Sequence, residues 1–187
     1  MAKYAILFIF VFGANAANKN IGNWQEFATT GESLPPFIVE AAKLAGVKPA
    51  NIVVISDVKR YMPGYLAQAG YDPKFTDEVV RKLQGLEGFV FDQRLPIFLN
   101  INSTYRGLEK CWNKAGQHAQ ACMVVMASHL YHEFQHATKR ADEVAALTAQ
   151  IVFLRLYQQE DSTGIIGQAI MVRQKQIREE RALLVKH

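Results

Sequence analysis

The stretch HLYHEFQHATKRADEVAA, residues 129–146, restricts this chain more than any other part of it. Met123, Val124, Met126, Ala127, Leu130, Phe134 and Ala137 recur at helical spacing, so His132, Glu133 and His136 belong to a helix that is mostly buried. Buried polar groups are costly without partners, and three of them in one apolar helix need a reason. Positions i and i+4 of a helix share a face, about 6 Å apart along the axis, which lets the imidazoles of His132 and His136 converge on one ion. A chance HExxH is expected in roughly one chain in a hundred of this composition, so accident is the weaker explanation.

Zinc binds neutral imidazole at about 2.0–2.1 Å, and a catalytic zinc keeps one position open beside three protein ligands. Glu133, next to the first histidine, is placed to take a proton from water in that position, leaving a hydroxide to attack a carbonyl polarised by the same ion. The third ligand has to come from downstream. Glu143 stands eleven residues beyond His132, which on one straight helix is about 16 Å and too far to share an ion. The chain must therefore turn near Thr138-Lys139-Arg140, where neither Gly nor Pro marks a turn.

Around this segment the pattern reads as α+β: a small twisted sheet of about three strands packed on helices. Pro35-Pro36 precede a helix over FIVEAAKLAG that stops at Gly46. NIVVISDV (51–58) reads as a buried strand, and a turn-rich piece follows with Pro63, Gly64, Gly70 and Pro73. Thr76 caps a helix that ends at Gly85, and GFVFDQ (88–93) and LPIFLNIN (95–102) are two more strands. Pro96 lacks an amide donor, so its strand belongs at a sheet edge or starts at that proline. DEVAALTAQIVFLRLYQ is a second buried helix, and a more amphipathic one runs from about Ile165 to Val185. Residues 17–33 carry little pattern and read as an irregular arm.

Residues 1–16 read as a secretory signal: Lys3, an apolar run from Tyr4 to Phe12, then Ala14-Asn15-Ala16 as the cleavage site. The run is far short of the roughly 20 residues of a spanning helix, so no stable membrane anchor is expected after cleavage. One domain, residues 17–187, remains, secreted or periplasmic. Lys3 is the only charge removed, and the formal charge of +4 falls by one. The remaining Lys and Arg are scattered or alternate with acids, which fits a solvated surface and no nucleic-acid partner. Cys111 and Cys122 suit a disulfide in an oxidising compartment. A metal role with His118 as third donor is the weaker reading, because no CxxC knuckle is present.

The segment resembles the zincin metallopeptidases, and within them the gluzincin type, in which HExxH is followed by a glutamate on a second helix, often as ExxA. Here Glu143-Val144-Ala145-Ala146 stands in that place. The resemblance covers about residues 123–158, and it implies zinc ligation by His132, His136 and Glu143, with Glu133 as general base. The short spacing to Glu143 implies a compact two-helix hairpin. The metzincin pattern HExxHxxGxxH, sometimes ending in Asp, would select Asp142 instead, yet Lys139 occupies the place of its turn glycine. Asp142 also reads as the cap of the following helix. Zincins set an antiparallel edge strand beside the cleft, and the resemblance assigns that place to residues 95–102, where a peptide or protein substrate would add as a further strand. His129 is a candidate surface or supporting residue, and Tyr105, Tyr131 and Tyr157 are candidate oxyanion donors, although aromatic residues in such settings more often pack in cores. Asn102-Ser103-Thr104 is a glycosylation sequon. The expectation is an exported zinc metallopeptidase. The alternatives are a non-catalytic zinc-containing binding or structural protein, and an amidase acting on a cell-wall crosslink.

Overall fold

Four strands, β1 (Ala28–Thr30), β2 (Ile52–Ile55), β3 (Gly88–Phe91) and β4 (Arg94–Asn100), form one mixed sheet in the order β1-β2-β4-β3. A computed structural model of the protein describes residues 23–91 and 94–185, and the leader read at residues 1–16 lies outside them. The helices among the described residues are α1 (Pro36–Ala45), α2 (Val58–Gln68), α3 (Pro73–Leu83), α4 (Ser103–Trp112), α5 (Gly116–Lys139), α6 (Glu143–Gln158) and α7 (Ile165–Leu184). This is the expected α+β class, with one strand more than expected. None of these helices is long and apolar enough to cross a membrane.

Alternation along the strands divides the interior in two. Ile52, Val54, Ile97 and Leu99 enter a core with α1, α5, α6 and α7. Val53, Ile55, Phe89 and Phe98 enter a second core with Tyr61, Met62 and Leu66 of α2 and Val79, Val80 and Leu83 of α3. With helices on both faces, β2 is buried throughout, as its β-branched run requires. The long helix α5 therefore lies directly on the sheet. The Cys111–Cys122 disulfide, with Cα atoms 6.1 Å apart, ties it to the end of α4. Closing so short a loop stabilises the fold by about 3 kcal/mol.

The structure corrects several expectations. β4 is central, pairing in parallel with β2 and antiparallel with β3, so residues 95–102 offer no free edge; the edges are β1 and β3. Pro96 is tolerated because it falls in the irregular step between the Phe91–Arg94 and Val90–Ile97 pairs, before the ladder with β2 begins at Ile97. Part of the presumed irregular arm is β1, too short at three residues to show a period in sequence. The presumed turn-rich piece holds α2, which runs through Pro63 because Asp57 caps Lys59 and Arg60 and the apolar face packs on the sheet. Asp72, not Thr76, caps α3, accepting from the Lys74 amide at 2.9 Å with Pro73 at the first helical position.

Gly64 of α2 is buried under the indole of Trp24, and an added Cβ would stand far inside van der Waals contact with its ring atoms. Gly→Ala in an open helix stabilises by about 1 kcal/mol. Gly64→Ala should instead destabilise by about 1–3 kcal/mol through overpacking. Urea unfolding checks the sign, and an unchanged or raised midpoint would overturn the packing of Trp24 on this helix.

Candidate metal centre

The chain reverses within four residues, and each has a separate task. Lys139 ends α5, and Arg140 adopts the left-handed conformation at φ 51°, a place usually given to glycine. Ala141 turns its carbonyl to within 2.7 Å of His136 Nδ1. Asp142 caps α6, accepting from the Ala145 amide at 2.7 Å. Glu143 is the first residue of α6, where the positive end of the helix dipole favours a carboxylate. The two helices are clasped beneath by Gln150, whose Nε2 donates to Ser128 Oγ at 3.0 Å in the buried seam.

Three donors meet at this reversal. The Nε2 atoms of His132 and His136 are 3.1 Å apart. The Glu143 oxygens lie 3.6 Å from the first and 3.3 Å from the second. Glu143 reaches the two imidazoles with different oxygens, Oε1 toward His132 and Oε2 toward His136, at separations near the roughly 3.3 Å between ligands held tetrahedrally at zinc-like bond lengths. A carbonyl only accepts, so His136 carries a proton on Nδ1, and its Nε2 faces the other two groups, where it can bind an ion once it gives up its own proton. The buried group His132, His136 and Glu143 could hold a metal ion.

Charge supports the same conclusion. Burial holds His132 below the ordinary imidazole range. Burial also disfavours the cationic form of His136, but the Glu143 and Glu133 carboxylates outweigh it and raise His136 above that range. Burial favours the neutral acid at Glu143, yet its contacts with the two imidazoles pull it down to about 2. His136 and Glu143 thus act as each other's counter-charge, and a cation bound between them would take the place of the proton on His136 Nε2.

Glu133 is 4% exposed and faces the sheet. Burial pushes its carboxyl up to about 8, opposed by the positive charge of His136 and Arg173 and assisted by Glu143 and Glu87. Gly88 eases the approach of β3 to α5: a Cβ there would stand 3.3 Å from Glu133 Cγ and 3.2 Å from the Phe98 carbonyl, tighter than ordinary contact.

The remaining sequence candidates are sorted as follows. Asp142 is a cap and not a donor in this group. His129 is neither ligand nor surface residue: it is 8% exposed and bonded to Arg173 of α7. Tyr105 is buried edge-on to Phe37, and Tyr131 and Tyr157, partly buried, both pack on Phe153. The sequon is used internally, with Asn102 capping α4 and Thr104 Oγ1 donating to Glu87. The cysteines are consumed by their disulfide, and His118 is exposed. Sequence reasoning missed Glu87, Gly88 and Arg173. A signal existed for Arg173, which interrupts the series Ile166, Ile170, Ile177 at helical spacing. No protein-family model, curated protein or solved structure matches this chain.

Two outcomes follow. Glu143→Ala should lose bound metal, whereas Asp142→Ala should keep it and lose about 1 kcal/mol of stability with the cap; metal analysis of dialysed protein separates them, and metal loss by Asp142→Ala alone would overturn the assignment. In protein stripped by a chelator, folded Glu133 keeps its proton to about pH 8 while the unfolded side chain releases it near its ordinary 4.5. The folded state then binds more protons between those values, and its stability falls as pH rises through that window. Glu133→Gln removes this loss, so its stability gain should grow from near zero below pH 4.5 to a few kcal/mol by pH 8. Thermal melts across that range check it, and a gain independent of pH would refute it.

Proposed function

We propose that the protein is an exported zinc-dependent peptidase in which Glu133 is the general base. One observation carries this reading: among the described residues three protein donors converge, not the four of a closed structural zinc site, with a buried carboxylate of raised proton affinity beside them. His132, His136 and Glu143 would hold the ion. When bound it would lower the pKa of a water and polarise the scissile carbonyl.

The chain's own residues supply the rest. Glu133 accepts a proton from the attacking water at its carboxylate and returns it to the leaving amine nitrogen as the C–N bond breaks. A carboxyl poised near neutrality suits both transfers. The substrate is an extended peptide laid along the unpaired edge of β3, which is antiparallel to β4 and touches Glu133 at Gly88. The disulfide and the leader both fit export.

A second reading has its own support. His132 and His136 are 1% and 3% exposed, an enclosure that favours a non-catalytic zinc protein. Both readings expect about one zinc per chain. Glu133→Gln should retain zinc and lose at least about a hundredfold in cleavage of a broad peptide library. A zinc-loaded wild type that cleaves nothing would favour the second reading, and a protein that takes up no zinc would end both.

A further inference from the structure

The apolar seam of α7 runs through Ile166, Ile170 and Ile177, with a residue of opposite character between them. Arg173 occupies the seam and is 5% exposed. An aliphatic side chain there would pack on α5 without desolvating a guanidinium, and a buried ion pair is often no more stabilising than apolar residues of its size. Its contacts therefore need an explanation other than helix packing.

Those contacts join three elements at one point. Arg173 Nη2 lies 2.5 Å from His129 Nε2 and 3.3 Å from Glu87 Oε2, and Nη1 donates to Gln176 Oε1 at 2.7 Å. A guanidinium only donates, so His129 accepts at Nε2 and carries its proton on Nδ1, which lies 3.8 Å from the same Glu87 oxygen. The other Glu87 oxygen accepts from Thr104 Oγ1 at 2.8 Å. Glu87 is the residue before Gly88, and His129 lies one turn before Glu133 on α5. The fastening thus sits where the edge strand approaches the helix that carries Glu133.

We propose that Arg173 is a positioning residue, which by gripping Glu87 and His129 together sets the separation of β3 from α5 at Glu133. The proposal rests on the peptidase reading only for its catalytic consequence. A planar fork with several donors can bridge a carboxylate and an imidazole at once, which a lysine ammonium does less well. Loosening the grip leaves the three donors of the metal group in place and lets the start of β3 drift from Glu133.

Amide exchange of the zinc-treated full chain tests the grip without needing a substrate. In Arg173→Met, exchange at Gly88–Phe91 should accelerate at least about tenfold, while β2 stays within about twofold of wild type. Arg173→Lys should fall between the two. Glu87→Gln should act in the same direction, and the double variant should fall short of the sum of the two single changes, since both remove the Arg173–Glu87 ion pair. Equal acceleration of β2 and β3, or unchanged β3 in folded variants, would overturn the proposal. Should Arg173→Met fail to fold, the near-isosteric Glu87→Gln carries the same measurement. With a fluorogenic peptide that wild type cleaves, kcat should fall about tenfold with KM little changed. A kcat within about twofold of wild type would also overturn it. If wild type cleaves no peptide, the peptidase reading fails while exchange at β3 still decides the grip.

Discussion

Two imidazole lone pairs and a carboxylate pressed together in a buried space repel one another unless positive charge joins them, and much of the structure serves to hold them there. The sheet presents an apolar face on which α5 lies, so the histidines cannot swing to solvent. The Ser128–Gln150 bond and the buried seam keep α6 against α5. The Ala141 carbonyl then fixes which His136 nitrogen faces the group. With rotation, tautomer and helix separation all constrained, folding itself brings together a group that could hold a metal ion.

Glu133 is subject to opposing demands. Its enclosure between α5 and β3 raises its proton affinity, as the proposed general base would require, yet the same enclosure makes the ionised form expensive. Positive charge from His136 and Arg173 on one side and negative charge from Glu143 and Glu87 on the other tune the result. The carboxylate is therefore governed by residues from α5, α6, α7 and the turn before β3. No two-helix motif could set it alone.

What was legible in the sequence was whatever repeats or caps locally. The buried strand Ile52–Ile55, the long helix through His136, the reversal before Glu143 and the cysteine pairing all follow from periodicity, spacing or compartment. The choice of Glu143 over Asp142 was open until geometry separated a donor from a cap. Tertiary context decided the rest. A three-residue strand exists only because β2 is there to pair with it, a proline-bearing helix survives on its cap and packing, and the centre of the sheet went to the strand whose proline had suggested an edge. Arg140 hid the turn, since nothing in an arginine announces a left-handed backbone. Gly88 and Glu87 matter through neighbours far away in the chain, 86 residues for the contact of Glu87 with Arg173, a separation that no window of sequence reveals.

The local character of the group has a physical basis. The donors come from a single reversal, residues 132–143, and the carboxylate's second wall comes from one short strand, residues 88–91. Geometry of this kind needs only a helix hairpin pressed on a sheet edge, and many arrangements of the remaining elements can supply the pressure. What they must all provide is a small residue where the strand meets the helix and a fastening that keeps the two at contact distance. Gly88 meets the first requirement. The charged grip of Arg173 on Glu87 and His129, placed where an aliphatic residue would have sufficed for packing, answers the second.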